Sequence, residues 1–73
     1  MKLYTKTICP KCLWVKSELM EAGIVFETVN IDHNQDAFEK LTSANILTVP
    51  VLEVDGSLIN EMPMILAAIE KAS

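Results

Sequence analysis

The spacing of apolar side chains changes along the chain, and each spacing predicts a different kind of element. Residues 2–5 have an aromatic and β-branched bias, which favours a short first strand. Residues 10–22 hold apolar side chains at helical spacing and predict a first helix, for which Gly23 supplies the C-terminal stop. The predicted buried face of this helix comprises Cys12, Val15, Leu19 and Ala22. Residues 24–31 are again β-branched and aromatic, which predicts a second strand parallel to the first.

The middle of the chain is typical of a second helix. Asp32-His33-Asn34 is a cluster of turn and cap residues, and helical spacing follows over Gln35–Ser43. The predicted inward face of this helix comprises Ala37, Phe38 and Leu41. His33 is expected in a solvated loop, and we assign it no catalytic role.

The last third of the chain predicts a hairpin followed by a helix. Asp55-Gly56 favours a two-residue turn between strands Val51–Val54 and Ser57–Ile59. Residues 60–63 form a helix start, because proline is tolerated in the first helical turn. The predicted apolar face of this last helix comprises Ile65, Leu66, Ala68, Ile69 and Ala72, with Met62 and Met64 filling the rim of the core. The predicted order is β-α-β-α-β-β-α, an α/β class.

Length, charge and the first residues limit the class of protein further. The 73 residues allow one domain with one small core, and an apolar fraction of 51% argues against disorder. The net charge of −4, with lysines but no arginine, argues against a nucleic-acid partner. No run of about 18 apolar residues is present to cross a membrane. The first residues enter the predicted strand without a leader, so a cytoplasmic protein is expected.

Both cysteines lie in Cys9-Pro10-Lys11-Cys12, at the predicted junction of the first strand and the first helix. Pro10 suits the first helical position, so Cys9 becomes the N-cap residue and its sulfur faces unpaired amides. The helix dipole, these amides and the nearby Lys6 and Lys11 lower a cysteine pKa from about 8.5 to about 3.5–7.5. Cys9 is therefore the expected nucleophile, and Cys12, one turn later, is the expected resolving thiol of a redox disulfide.

Three interpretations of this cysteine pair stay open, and the redox dithiol is the favoured one. A structural disulfide is disfavoured because so short a loop constrains little of the unfolded chain. A zinc site needs two further ligands and the chain offers only His33, so no metal site is predicted within the chain. The alternatives are an iron–sulfur cluster shared between two chains, and inert or regulatory thiols.

Two further positions carry a specific expectation. Pro50 stands directly before an apolar strand, and we favour a cis bond between Val49 and Pro50. Trp14 lies off the buried stripe of the first helix, just beyond the cysteines. We expect Trp14 to be a partly buried surface aromatic; the alternative is a platform for a partner protein.

The element order, Cys9-Pro10-Lys11-Cys12 after the first strand and Thr48-Val49-Pro50 before the third together resemble the glutaredoxin family. The similarity covers nearly the whole chain, so residues 1–73 are expected to be a single glutaredoxin-like domain. The resemblance implies a minimal thioredoxin fold, with a four-stranded mixed sheet in the order 2-1-3-4. It places the first and third helices on one face of the sheet and the second on the other. It also implies a cis Pro50 that faces Cys9.

The resemblance further implies a small dithiol glutaredoxin that acts as a monomer. It would reduce disulfides within proteins or mixed disulfides with glutathione. Such a protein has no bound cofactor and uses glutathione as a co-substrate. Val49, flanked by Thr48 and Pro50, matches the residue whose backbone pairs with an extended substrate. Lys6 matches a lysine that helps to hold glutathione, and Lys16 matches a common helix lysine. Asn60 and Glu61 are placed to meet the ammonium group of glutathione.

Three positions depart from the family pattern. Lys11 stands where tyrosine is usual, and Ile46-Leu47 stand where Gln-Arg or a similar pair often precedes Thr-Val-Pro. Residues 60–63 stand where a Gly-Gly-x-Asp turn opens the last helix. These departures affect the pocket that binds glutathione in the family. Redoxins that serve ribonucleotide reductase also lack that pocket, and they draw electrons from thioredoxin reductase instead of glutathione. The resemblance therefore leaves glutathione and thioredoxin reductase as alternative reductants.

Overall fold

Helices and strands follow one another in the predicted order in the structure, a computed structural model that describes residues 1–72. The strands are β1 (Lys2–Thr5), β2 (Glu27–Asn30), β3 (Val51–Val54) and β4 (Ser57–Ile59). The helices are α1 (Pro10–Glu21), α2 (Gln35–Ser43) and α3 (Met62–Ala72).

The strands form one mixed sheet in the order β2-β1-β3-β4. β1 pairs in parallel with β2 and antiparallel with β3, and β3 pairs antiparallel with β4. Leu3 in the middle of β1 lies opposite Thr28 on one side and Leu52 on the other. The topology is that of a small thioredoxin-like fold, and it confirms the predicted fold class.

Apolar side chains cover both faces of the sheet, because side chains alternate between the faces along each strand. On one face, α1 and α3 contribute to a cluster that comprises Leu3, Val15, Leu19, Leu52, Ile65 and Ile69. On the other face, α2 contributes to a cluster that comprises Tyr4, Ile31, Ala37, Leu41 and Val51. The predicted distribution of the helices over the two faces is therefore confirmed. The dithiol sequence lies at the end of β1 that leads into α1.

The second strand is shorter than the predicted residues 24–31. β1 begins at Lys2, whose register partner is Glu27, so the residues before Glu27 have no strand to pair with. Ile24 instead donates its backbone N–H to the carbonyl of Leu19 at the end of α1. Its neighbour Val25 is 92% exposed. Ile24 and Phe26 pack against the apolar core, so the apolar pattern of this segment reflects side-chain packing at these two positions rather than strand pairing.

Helix α1 also ends one residue earlier than predicted, at Glu21. Ala22 is the C-cap residue, and its N–H donates to carbonyls of the last turn. Gly23 follows with φ +72°, a left-handed conformation that glycine adopts without steric cost. The predicted stop at Gly23 is confirmed.

The prediction that a side chain packs in the core or at its rim is wrong at three positions. Phe38 in α2 is 42% exposed, because the buried face of the helix is formed by Ala37 and Leu41 and Phe38 lies beside that face. Met64 in α3 is 56% exposed, and Ala72 is also exposed, whereas Ile65 and Ile69 are buried. Helical spacing identifies the side of a helix that is apolar, but it does not give the angle at which the helix lies on the sheet.

Candidate redox site

The local backbone places Cys9 at the start of α1. Cys9 is the N-cap residue in an extended conformation, with Pro10 at the beginning of the helix. Its Sγ accepts a hydrogen bond of 3.1 Å from the backbone N–H of Cys12. Its carbonyl oxygen accepts the N–H of Leu13 at 3.2 Å. The sulfur thus satisfies an amide that the helix leaves unpaired, and this is the geometry that stabilises a thiolate.

Cys9 and Cys12 are joined by a disulfide bond, and their Cα atoms lie 5.2 Å apart. The two cysteines differ in accessibility. Cys12 is only 3% exposed and lies on the buried face of α1, whereas Cys9 is partly exposed at the end of the helix. Cys9 is therefore the more accessible residue of the pair, and the division of roles between the two cysteines stays a prediction.

A cavity of about 260 Å³ opens beside the disulfide. It is lined by Thr5, Lys6, Thr7, Cys9, Cys12, Leu13, Lys16, Thr28 and Asn30. Its charged lining residues, Lys6 and Lys16, are both lysines. The lining itself therefore carries positive charge although the chain has a net charge of −4. Lys11 is exposed on α1 and does not belong to this lining.

The loop before Cys9 is held by the turn that follows β2. The backbone N–H of Thr7 donates to Asp32 Oδ2 at 3.0 Å, and the side chain of Asn30 donates to Thr7 Oγ1 at 3.3 Å. Asn30 Oδ1 in turn accepts the N–H of Asp32 at 2.9 Å. We call Thr7, Asn30 and Asp32 the loop clasp. The hydrogen bond from the Thr7 N–H, with further help from the nearby Lys6 charge, holds the pKa of Asp32 below its usual value.

Sequence reasoning assigned no function to the loop clasp. The available signal is the alternation Asn30-Ile31-Asp32, which places two polar side chains around a buried one where β2 ends. Such side chains commonly bind backbone amides in turns. Their partner Thr7 is 25 residues from Asp32 in the sequence, so local pattern alone could not identify the pair.

The predicted substrate-binding residues are only partly brought together. The bond between Val49 and Pro50 is cis, and Pro50 is buried whereas Thr48 is exposed. Thr48 and Lys6 both line a second, small cavity of about 70 Å³, so Lys6 connects this cavity to the dithiol cavity. The lining of the dithiol cavity includes neither Asn60 nor Glu61. The position of Pro50 opposite Cys9 stays a prediction.

Two structural findings concern membranes and metals. Among residues 1–72, no helix is long and apolar enough to cross a bilayer. Within the same residues, no three His, Cys, Asp or Glu side chains are grouped so that they could hold a metal ion.

A disulfide between an accessible N-cap cysteine and a buried cysteine one turn later, on this fold, defines a thiol–disulfide redoxin. The family comparison agrees, since residues 1–59 match the model of the glutaredoxin family. The chain belongs to the glutaredoxin family. Redoxins of this kind are oxidoreductases that act on disulfide substrates and are regenerated by a reductant.

Individual relatives are similar over about three quarters of the chain, 73% of its length. A glutaredoxin-like protein NrdH of Lactococcus lactis subsp. lactis is 34% identical over 53 residues, which are 73% of this chain and 74% of that protein. The same protein from subsp. cremoris has the same identity and coverage. The gene 56 protein of Mycobacterium phage L5 is 37% identical over 54 residues, 73% of this chain. The match spans about half of the phage protein, 52% of its length.

Proposed function

We propose that this chain reduces disulfide bonds in other proteins, with Cys9 as the attacking thiol and Cys12 as the resolving thiol. The observation that carries the proposal is the asymmetry of the pair at the start of α1. The accessible Cys9 sulfur accepts the Cys12 N–H, and the Cys12 side chain is 3% exposed. The sulfur that reacts with a large partner has to be accessible, and the sulfur that completes the exchange has only to reach Cys9.

The reaction begins from the reduced dithiol. The Cys9 thiolate attacks one sulfur of the substrate disulfide, that S–S bond breaks, and the second substrate sulfur leaves as a thiolate that takes a proton from water. Cys12 then loses its proton and attacks the Cys9 sulfur of the mixed disulfide. The bond to the substrate breaks, its sulfur leaves as a thiolate that takes up the proton lost by Cys12, and the substrate is released as a dithiol. Two electrons pass to the substrate, and the chain retains the Cys9–Cys12 disulfide seen in the structure.

The start of α1 serves both steps. In the first step its N–H groups and dipole stabilise the negative charge of the attacking Cys9 sulfur. In the second step Cys9 is the central sulfur, and Cys12 needs only a short displacement because the two Cα atoms are 5.2 Å apart. Lys6 and Lys16 in the cavity lining add positive charge beside the developing thiolates.

For the reductant, the proposal is a flavoprotein thioredoxin reductase rather than glutathione, and for the substrate the disulfide of a ribonucleotide reductase. Three features support this choice. Asn60 and Glu61, the residues matched to glutathione binding, lie outside the lining of the dithiol cavity. Lys11 replaces the usual tyrosine between the cysteines. Relatives that cover most of this chain carry the name NrdH, glutaredoxin-like protein.

A paired turnover assay tests the choice of reductant and the exchange mechanism. One cuvette contains NADPH, glutathione and glutathione reductase, and the other contains NADPH and thioredoxin reductase; both contain the same disulfide substrate. We expect NADPH consumption that depends on the chain only with thioredoxin reductase. Turnover only with glutathione would show that the reductant is wrong and the exchange reaction right. Turnover that Cys9→Ser leaves unchanged would show that the exchange mechanism itself is wrong.

A further inference from the structure

A second concave surface lies between α1 and α3, separate from the dithiol cavity. It has a volume of about 390 Å³. Its lining comprises Trp14, Glu18 and Glu21 of α1, the C-cap residue Ala22, and Leu66, Ile69 and Glu70 of α3. We call it the α1–α3 groove. Neither cysteine contributes to it, and the exchange reaction does not use it.

The groove follows from the way in which α1 and α3 pack. Both helices cover the same face of the sheet and share one apolar cluster, so a valley runs between their outer surfaces. On each helix, residues three or four positions apart share a face, and the lining positions on both helices follow this spacing. The stripe on α1 extends over two helical turns, a length of about 12 Å at 1.5 Å per residue.

The floor of the groove is apolar. Trp14 is 45% exposed and is the only tryptophan of the chain. Leu66 is half-buried beside it, and Ile69 lies at the base of the groove. Ala22 has a short side chain and leaves room above the floor. An exposed indole ring next to aliphatic side chains is the composition that anchors protein–protein contacts.

The rim of the groove is acidic. Glu18 and Glu21 contribute two carboxylates from α1, and Glu70 contributes a third from α3. Within residues 1–72, the side chains of Glu18 and Glu21 form no ion pair, whereas Glu53 elsewhere in the fold is paired with Lys40. The charges of Glu18 and Glu21 are therefore available to a partner. Their sign is opposite to that of the lysines at the dithiol cavity.

We propose that the α1–α3 groove binds an amphipathic helix of a partner protein that carries lysine or arginine beside its apolar face. A third helix fits a valley between two helices, and its apolar side chains would cover Trp14 and Leu66. Its cations would pair with Glu18 and Glu21, and this charge complementarity selects a basic partner over an acidic one. The partner would dock there while the cysteines remain accessible.

Trp14 itself reports binding. The probe is a synthetic helical peptide with leucine on one face and lysine on the other, and the comparison peptide has glutamate in place of each lysine. We expect the lysine peptide to produce a saturable change in Trp14 fluorescence and the glutamate peptide to produce none. A saturable change of equal affinity with both peptides would overturn the proposal, and so would the absence of any change.

Matched variants separate this groove from general attraction to an acidic protein. Glu18→Gln with Glu21→Gln should weaken binding about fivefold, as two exposed ion pairs do. Asp36→Asn with Glu39→Gln removes the same charge from α2, on the other face of the sheet, and should leave the affinity unchanged. Equal weakening by both pairs would contradict the assignment of the groove.

The anchoring role of Trp14 needs a readout other than fluorescence. Trp14→Ala should lower the affinity for the lysine peptide about thirtyfold in calorimetry, the size expected for a buried aromatic anchor. Disulfide exchange by the same variant should stay at the level of the unmodified chain, which also shows that the fold is intact. Unchanged peptide affinity in Trp14→Ala would exclude the groove. A failure of the exchange mechanism would leave these binding results unaffected.

Discussion

Asp32 holds Thr7, two residues before the proposed nucleophile Cys9, through a hydrogen bond of 3.0 Å from the Thr7 backbone N–H to Asp32 Oδ2. The bond joins the loop that leads into α1 to the turn that follows β2. It limits the positions that the loop can take and therefore helps to keep Cys9 at the helix N-terminus. We infer that Asp32 is a positioning residue for the proposed exchange reaction.

Removal of the Asp32 carboxylate should slow exchange without removing it. In Asp32→Ala the Thr7 N–H loses its acceptor, so we expect kcat/KM to fall by about threefold, the scale of an exposed hydrogen bond. Asp32→Asn keeps an acceptor oxygen and should retain most of the rate. Steady-state kinetics with a protein disulfide measures both variants. A larger loss in Asp32→Asn than in Asp32→Ala would contradict the positioning role.

The same hydrogen bond predicts the sign of a pH effect. The pKa of Asp32 is lowered in the folded state, so its contribution to stability is present above the unfolded value, 3.8, and is lost as the pH falls through the lower folded value. Asp32→Ala should remove this part of the acid sensitivity. Urea unfolding of both proteins between neutral and acid pH measures it, and parallel pH profiles would contradict it.

The two cysteines should give different variants. Cys9→Ser should abolish turnover, because no accessible thiolate remains to attack the substrate. Cys12→Ser should accumulate a mixed disulfide between Cys9 and the substrate, because the resolving step is lost. Mass spectrometry of the quenched reaction detects this adduct. An adduct on Cys12 in the Cys9→Ser protein, at a comparable rate, would reverse the assigned roles.

A polar network on the α2 face of the sheet predicts a second pH dependence. Tyr4 Oη donates to Glu53 Oε1 at 2.6 Å, and Lys40 Nζ donates to the same oxygen at 2.6 Å. The bond from Lys40, followed by that from Tyr4, holds the pKa of Glu53 below its usual value. The contribution of Glu53 to stability is therefore present above the unfolded pKa of 4.5 and is lost as the pH falls through the folded value.

The partners of Glu53 give the opposite sign. Burial, together with the bond to Glu53, raises the pKa of Tyr4, and the bond to Glu53 raises that of Lys40. Their contributions are present below the unfolded values and are lost as the pH rises through the folded ones. Glu53→Gln should flatten the stability profile at both ends, measured by urea unfolding across pH. A profile that changes only at neutral pH would contradict this network.

The apolar core predicts a clear contrast between two neighbours on α1. Leu19 of α1 is fully buried against α3 and the sheet, whereas the next residue, Met20, is 64% exposed. Leu19→Ala should lower the free energy of unfolding by about 2–5 kcal/mol, a large share of the stability of a small domain. Met20→Ala should change it by less than about 0.5 kcal/mol. Urea titration compares the two, and equal effects would contradict the assigned core.

Glycine, proline and cap residues explain why so much of the fold follows from local pattern. Gly23 ends α1, and the turn Asp55-Gly56 has both residues at positive φ, as the hairpin prediction requires. Asn34 caps α2 by accepting the Ala37 N–H at 3.0 Å. The dithiol is the same kind of feature, because Pro10 is at the first turn of α1 and directs Cys9 to the N-cap. Each of these depends on residues fewer than five positions apart.

What the sequence alone determined is therefore the order of elements, the fold class and the position of Cys9 at a helix N-terminus. Only the tertiary structure decided the length of β2, which begins at the residue opposite the start of β1, and the exposure of Phe38. It also decided the loop clasp and the α1–α3 groove, which join segments far apart in the chain. The physical reason is the range of the interactions: caps and turns act within a few residues, whereas pairing register and helix orientation depend on the packing of the whole core.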